Sequence, residues 1–409
     1  MSTETSLLRD CGRKINPADR LETICEYYFS RRLREVARLN AEGHDIVSLG
    51  IGGPDRPPHS DVIATLCNEA SRPNAHSYQV SNGLPELRKA FSDWYRRCYG
   101  VRLDPDSEIL PLIGSKEGIT HVGLTFLNPG DGVLVPDPGY PTYASSARLI
   151  GAKVITYDLT EENGWLPDFD ALERLPLGNV KLMWVNYPHM PTGRAADPEL
   201  FRKLIEFGQR HGIVIAHDNP YSFILNNGKR HSIIQIEGAK EIAIELNSLS
   251  KSHNMAGWRV AMLASNHEFI SWIMKVKSNV DSGQFRPVML AAAKALALGE
   301  EWFDELNMEY RRRRVIAEEI MTELGCRFSQ SQTGMFLWGR IPDDEPSSET
   351  LADRLLYEAK VFIAPGFIFG ANGSRYIRLS LCATEQNLQR ALSRIKKFKR
   401  PHNNNNNNI

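Results

Sequence analysis

The chain has 409 residues, with 49 Lys+Arg balancing 49 Asp+Glu, and 42% of it is apolar. That length exceeds the roughly 250–300 residues at which a single core stops growing, so a large domain with a smaller companion is expected. Zero net charge offers no field to draw in nucleic acid or a membrane surface, and no stretch approaches the roughly 18 apolar residues of a membrane-crossing helix.

The six cysteines (Cys11, Cys25, Cys67, Cys98, Cys326, Cys382) form no CxxC pair and no metal-ligand spacing. They read as reduced thiols of a cytoplasmic protein, and no metal site is expected. Met1-Ser-Thr-Glu-Thr-Ser lacks the basic and apolar regions of a signal peptide.

In chain order, Leu21 to Leu39 has a helical pattern and suits an arm packed on a dimer. From about residue 110 to 260, short apolar runs alternate with helix-like stretches. Val133–Pro136, Val154–Tyr157, Lys181–Val185, Ile213–Ala216 and Glu241–Glu245 are the strand candidates, and Asp197 to His211 is a helix by its apolar period. This alternation implies an α/β fold with a mostly parallel sheet covered on both faces. Ligands gather beyond the carboxyl ends of such strands. Asn186–Gly193, His217–Tyr221 and Ser248–Arg259 each follow a strand and are singled out in advance.

From about residue 290 the pattern changes. A helical region from Met289 to Leu324 leads to Met335–Trp338, a helix at Glu349–Glu358, then Val361–Ala364 and Tyr376–Ser380, which reads as a smaller α+β domain. The expected division is residues 1–55 as an N-terminal arm and part of the small domain, 56–288 as the large domain, and 289–400 as the small domain. Residues 401–409 form a low-complexity tail expected to be disordered. Arg311-Arg312-Arg313-Arg314, beside Glu309, Glu318 and Glu319, reads as a solvated helix face.

The segment with the most chemistry is Ser248-Leu-Ser-Lys-Ser-His-Asn-Met-Ala-Gly-Trp-Arg259. A lysine just past a strand end, with serines before it and an arginine after it, suits an anionic cofactor bearing an aldehyde. The amine forms an imine, and shelter lowers its pKa so that the neutral form exists near pH 7. Ser248, Ser250 and Arg259 supply hydroxyls and a guanidinium fork for a phosphate. Ser-x-Ser-Lys alone would read as a surface turn. The whole span, however, resembles the lysine site of the class I/II (fold type I) pyridoxal-phosphate-dependent aminotransferases, and the resemblance extends from about Ile46 to Lys399.

That resemblance implies Lys251 as the Schiff-base lysine and general acid–base of a ping-pong transfer between an amino acid and a 2-oxo acid. In His217-Asp-Asn-Pro-Tyr221 it puts Asp218 against the cofactor's pyridine nitrogen and Tyr221 on its phenolic oxygen. Ile113-Gly-Ser-Lys-Glu-Gly118 becomes a phosphate-binding helix start, with Ser115 a donor and Lys116 open between phosphate and substrate. Tyr140 of Asp137-Pro-Gly-Tyr-Pro141 stacks on the ring. Tyr78-Gln-Val-Ser-Asn-Gly-Leu-Pro-Glu-Leu-Arg88 is similar to the family's segment before a helix, whose Tyr78 reaches the neighbour's phosphate across a homodimer. Arg378 forks onto the substrate carboxylate, and Gly52 lets the backbone approach the substrate. Arg375 reads as surface. Lys277-Ser-Asn-Val-Asp-Ser-Gly283 is similar to the diaminopimelate and alanine aminotransferases.

One position departs from the pattern. Asn186-Tyr-Pro-His-Met-Pro-Thr-Gly193 carries Met190 where the family has an asparagine that donates to the phenolic oxygen, and a thioether cannot donate. Asn186 is a neighbouring amide whose position does not match. The same residues also serve elimination (a C–S lyase) or decarboxylation, and Met190 keeps a non-catalytic cofactor-binding regulator among the readings. Met335, Phe336, Trp338, Phe285 and Tyr28 are pocket candidates, although aromatic residues at these spacings read as core.

Overall fold

The large sheet has seven strands, in the order Ile109–Leu112, Ala261–Ala264, Ala243–Ser248, Val214–Asp218, Val180–Val185, Gly132–Asp137 and Lys153–Asp158. Ala261–Ala264 runs antiparallel to both its neighbours, and the other pairings are parallel. The computed structural model describes residues 15–24 and 26–398, so the tail and residues 1–14 lie outside the described residues.

Burial along the strands explains their apolar runs. Gly132–Asp137 and Ala243–Ser248 are buried at every position, as parallel strands covered on both faces must be. Lys153–Asp158, at the sheet edge, is partly exposed. Two strands carry little sequence signal. Ile109–Leu112 contains Pro111, and Ala261–Ala264 begins and ends in alanine, both poor strand formers. Glu241 and Ile242, expected to open a strand, end a short helix instead, and the strand starts at Ala243.

Helix Pro198–His211 shows how local signals set the covering layer. Asp197 caps it through the Glu199 N–H at 2.8 Å, Pro198 opens it, and Gly212 ends it in the left-handed region. Leu200, Phe201, Leu204, Ile205 and Phe207 make its buried face.

The smaller sheet is antiparallel, in the order Ala364–Pro365, Tyr376–Ser380, Phe336–Arg340 and Arg327–Phe328. Val47–Ser48 pairs in parallel with Val361–Phe362, which brings the N-terminal segment onto the C-terminal part. Phe29, Val36, Leu39, Ile46 and Leu49 share a core with Leu355, Val361, Ile377 and Leu388.

The expected long helix from Met289 divides into Arg286–Leu296 and Glu300–Glu323, with Gly299 between them. The first piece packs on helices Ser60–Ala70 and Pro85–Tyr99, and its Met289, Ala291, Ala292 and Ala295 join the core of the large sheet. Small alanines on one face permit that close approach, and Phe303 of the following helix joins the same core.

The arginine run is not a solvated face. Arg311 and Arg312 are exposed, but Arg313 is buried. Its Nη1 and Nη2 fork onto Asp55 at 2.7 and 2.9 Å, and Nη1 also donates to the Leu381 carbonyl. A helix passing the turn at Ile51–Asp55 presents one residue of each turn inward, whatever its charge.

Candidate active site

The carboxyl ends of Val180–Val185, Val214–Asp218 and Ala243–Ser248 open onto a cavity of about 390 Å³. Ser115, Lys116, Tyr140, Asp218, Tyr221, Ser248, Ser250, Lys251, Arg259, Gly52 and Arg378 all line it. Tyr78 does not: it lies outside the cavity and is 92% exposed.

Lys251 sits in a one-turn helix, Leu249–Ser252, capped by the Ser248 hydroxyl, which accepts from the Ser250 N–H at 3.1 Å. Its Nζ donates to the Gly52 carbonyl at 2.5 Å. Burial pushes its pKa below the ordinary lysine range, with Arg378 and Arg259 acting in the same direction against Cys382 and Asp218. The close approach of Gly52 needs glycine, since a Cβ there would fall 2.3 Å from the Phe336 ring.

Gly114, at φ +81°, turns the chain into helix Ser115–Phe126. A Cβ on Gly114 would lie 2.0 Å from Arg259 Nη2, so glycine allows the guanidinium to lie against the start of the helix. The buried Ser115 hydroxyl has no protein partner. First-turn N–H groups, a free hydroxyl and a guanidinium make an anion cradle.

Asp218 ends its strand with both oxygens buried. Oδ2 accepts from the Tyr143 hydroxyl at 2.9 Å, while Oδ1 has no partner. Burial raises its pKa to about 6, against the pull of Tyr143, the His217 charge and Lys251. Tyr143 itself stacks on Trp184, with centroids 5.0 Å apart and planes 4° from parallel. Tyr140 meets Tyr143 edge-on at 5.5 Å. Burial likewise raises the Tyr140 and Tyr221 hydroxyl pKa values.

Arg378 is nearly sealed. Its Nη2 donates to the Gly50 carbonyl at 2.8 Å, its Nε is unpartnered, and Phe336 and Phe369 stack around it at 4.0 and 4.7 Å. Burial lowers its pKa to about 10. Arg375 lies away from the cavity and donates to the carbonyls of Pro342, Glu345 and Pro346.

Met190 lines the cavity beside Arg378. Asn186 also lines it, but its Oδ1 accepts from the Met190 N–H at 2.8 Å and its Nδ2 donates to the Asp218 carbonyl at 2.6 Å. It braces the loop rather than taking the place of the absent asparagine.

Sequence reasoning missed Tyr143, Tyr27, Phe29 and Phe369. Tyr143 lies three residues past Tyr140, a helical spacing that would have placed both on one face. Of the aromatic candidates, Phe336 lines the cavity, whereas Met335 and Trp338 are core and Phe285 stacks on His76 at the surface. Tyr28 turns away to accept from Arg32, and Tyr27 takes the cavity position.

Comparison with known proteins places most of the chain in one family. Residues 44–395 match the model of the family "Aminotransferase class I and II". The chain is 40% identical to an LL-diaminopimelate aminotransferase of Dehalococcoides mccartyi, covering 93% of this chain and 98% of that protein. It is 39% identical to the LL-diaminopimelate aminotransferase of Aquifex aeolicus, covering 93% and 99%. Among solved structures, apo-BacF of Bacillus subtilis superposes with a TM-score of 0.90 at 34% identity, covering 95% of this chain and 99% of that one. A probable N-succinyldiaminopimelate aminotransferase of Thermus thermophilus gives 0.84 at 31% identity, covering 90% and 99%. The chain belongs to the class I and II aminotransferases, enzymes that transfer amino groups with pyridoxal phosphate.

Proposed function

We propose that the cavity around Lys251 is where this chain exchanges an amino group between an amino acid and a 2-oxo acid. One observation carries the reading. Three buried polar groups face one cavity without a protein partner: Ser115 Oγ, Asp218 Oδ1 and Arg378 Nε. They suit, in turn, a phosphate, a protonated ring nitrogen and a carboxylate, so the residues fit pyridoxal phosphate with an amino acid beside it. When bound, the cofactor supplies an aldehyde carbon for the amine and a ring that takes up an electron pair.

The chain's own residues do the rest. Ser115, Ser248, Ser250 and Arg259, with the helix start, hold the phosphate, and Lys116 stands at the mouth. Asp218 Oδ1 accepts from the ring N–H and holds it protonated. Tyr221 addresses the phenolic oxygen, and Tyr140 covers the ring. Arg378 orients the α-carboxylate while Phe336 and Phe369 exclude water from it. Lys251 Nζ, its pKa lowered by burial, takes the α-proton and returns it.

The relatives' names support LL-diaminopimelate, or a similar diamino dicarboxylic acid, as the donor. A cytoplasmic homodimer belongs to the same reading: Tyr78 and Val80 are exposed, 92% and 61%, where a partner would cover them. Mixing Lys251→Ala with Tyr78→Phe subunits should then restore activity through hybrid dimers.

The deciding experiment incubates the loaded enzyme with a panel of amino acids, LL-diaminopimelate included, and follows the cofactor's absorbance. Conversion to the aminated form that a 2-oxo acid reverses is the expected result. Pyruvate released without an acceptor would indicate a lyase, and no response to any amino acid would overturn the catalytic reading.

A further inference from the structure

A second polar cluster lies behind Asp218, sealed from both solvent and the cavity. His217 and Glu245 side chains are each 0% exposed, and His217 Nδ1 is 2.9 Å from Glu245 Oε2. Adjacent strands set this distance, because His217 and Glu245 are directly paired in register.

The hydrogen-bond roles in this cluster follow one from another. Asn247 Nδ2 donates to the Tyr95 hydroxyl oxygen at 3.4 Å, so the Tyr95 proton goes to Glu245 Oε1, at 2.7 Å. The Ile233 N–H donates to Glu245 Oε2 at 2.9 Å. Donors on both oxygens favour the carboxylate form of Glu245, and a carboxylate calls for a hydrogen on His217 Nδ1. His217 Nε2 faces the Tyr187 carbonyl at 2.8 Å, and a carbonyl only accepts. The Tyr187 N–H is 3.3 Å from the same nitrogen, the longer of the two contacts, and the 2.8 Å approach of the carbonyl is the one that calls for a hydrogen on Nε2. Both ring nitrogens are then donors, with the Phe201 ring edge-on at 4.8 Å as the remaining neighbour.

We propose that His217 is an imidazolium clamped between the Glu245 carboxylate and the Tyr187 carbonyl, and that this ion pair is a positioning device for the active site. Two links connect it to the cavity. His217 precedes Asp218 on the same strand, so its positive charge lies directly behind the carboxylate. That charge is one of the influences opposing the burial of Asp218. Its bond to Tyr187 also pins the loop whose Asn186 holds both the Asp218 carbonyl and the Met190 N–H. A buried pair costs desolvation, and this one is held by Tyr95, the Ile233 N–H and the Tyr187 carbonyl. The inference rests on the reading that Asp218 addresses the cofactor ring.

The test begins with the unaltered, cofactor-free protein labelled with ¹⁵N-histidine. At pH 7.5 both His217 nitrogens should give protonated signals, identified by Overhauser contact with Phe201. One unprotonated ring nitrogen overturns the proposal without any variant having to fold. In the loaded enzyme, Glu245→Gln should weaken cofactor affinity on the order of tenfold, the scale at which outer-shell partners act, and shift the pH midpoint of the cofactor's absorbance. Asp218→Asn separates the two readings. If Asp218→Asn changes the cofactor spectrum and Glu245→Gln leaves spectrum and affinity alone, the ion pair is not a positioning device. If Asp218→Asn itself changes neither, the assignment of the cofactor ring to Asp218 fails.

Discussion

Arg378 Nη1 lies 3.3 Å from the sulfur of Met190. A thioether is a weak acceptor and no donor, so the guanidinium gains little from it and keeps its Nε unpartnered. The strand that carries Arg378 thus meets the loop in which Met190 stands in place of an amide.

Met190→Asn is expected to lower the pH midpoint of the bound cofactor's absorbance by roughly 0.5–1 unit, since one added hydrogen bond contributes about 1 kcal/mol. The restored amide would stabilise the ionised phenolic oxygen. A spectrophotometric titration showing an unchanged or higher midpoint would count against this role for the position.

Asp218 has a folded pKa near 6 against an ordinary 3.8, so the folded state binds the extra proton between those values. Stability of the cofactor-free protein should fall as pH rises through that window and stay lower above it. Asp218→Asn removes the ionisable group. It should stabilise the cofactor-free protein by up to about 3 kcal/mol at pH 8 and by little at pH 4, while weakening cofactor binding. Thermal unfolding at the two pH values, with and without cofactor, measures both effects.

The Arg313–Asp55 fork ties the long helix to the turn that presents the Gly52 carbonyl to Lys251. Arg313→Ala leaves Asp55 without that partner and should cost about 3–5 kcal/mol. Arg313→Lys should recover only part of it, because an ammonium cannot fork. Denaturant midpoints would rank the three proteins, and equal midpoints would show the fork to be dispensable.

Beside the anion cradle, Lys277 is buried and bonds Glu117 Oε1 at 3.1 Å and Asp281 Oδ2 at 2.6 Å, with His121 Nε2 3.0 Å from Glu117. Burial would raise the Glu117 pKa, but His121 and Lys277 outweigh it and hold the carboxyl well below its ordinary 4.5. The resulting stability is full above that value and is lost as pH falls below it. Lys277→Met should flatten the acid limb of a Tm–pH profile between about pH 4.5 and 3 and lower the Tm at neutral pH.

How far the sequence spoke for the structure depended on where each signal resided. Strands buried on both faces announce themselves as apolar runs, and Val133–Pro136 lies within the observed Gly132–Asp137. Ile109–Leu112 and Ala261–Ala264 gave no such signal, because neighbours rather than propensity hold them in the sheet. Lys251, Asp218 and Arg378 could be singled out because each belongs to a contiguous motif, and the structure brings all three to one cavity. Phe29, Tyr143 and the buried side of Arg313 were not, since their surroundings come from segments distant in the chain. Arg313 reads as one of four surface arginines until Asp55 is brought against it.

The bond from Lys251 to the Gly52 carbonyl sets an order for biosynthesis. Gly52 precedes the large sheet in the chain, and its place against Phe336 needs the smaller sheet, which follows it. Arg378 takes position in that sheet only by pairing with Trp338 and Ala364. Asp218, Lys251 and the anion cradle can all be folded while the lysine still lacks its resting partner and the cavity its far wall. Without Tyr376–Ser380 the lysine would lose part of the burial that lowers its pKa and would stay protonated, so its reactivity depends on the strand that carries Arg378.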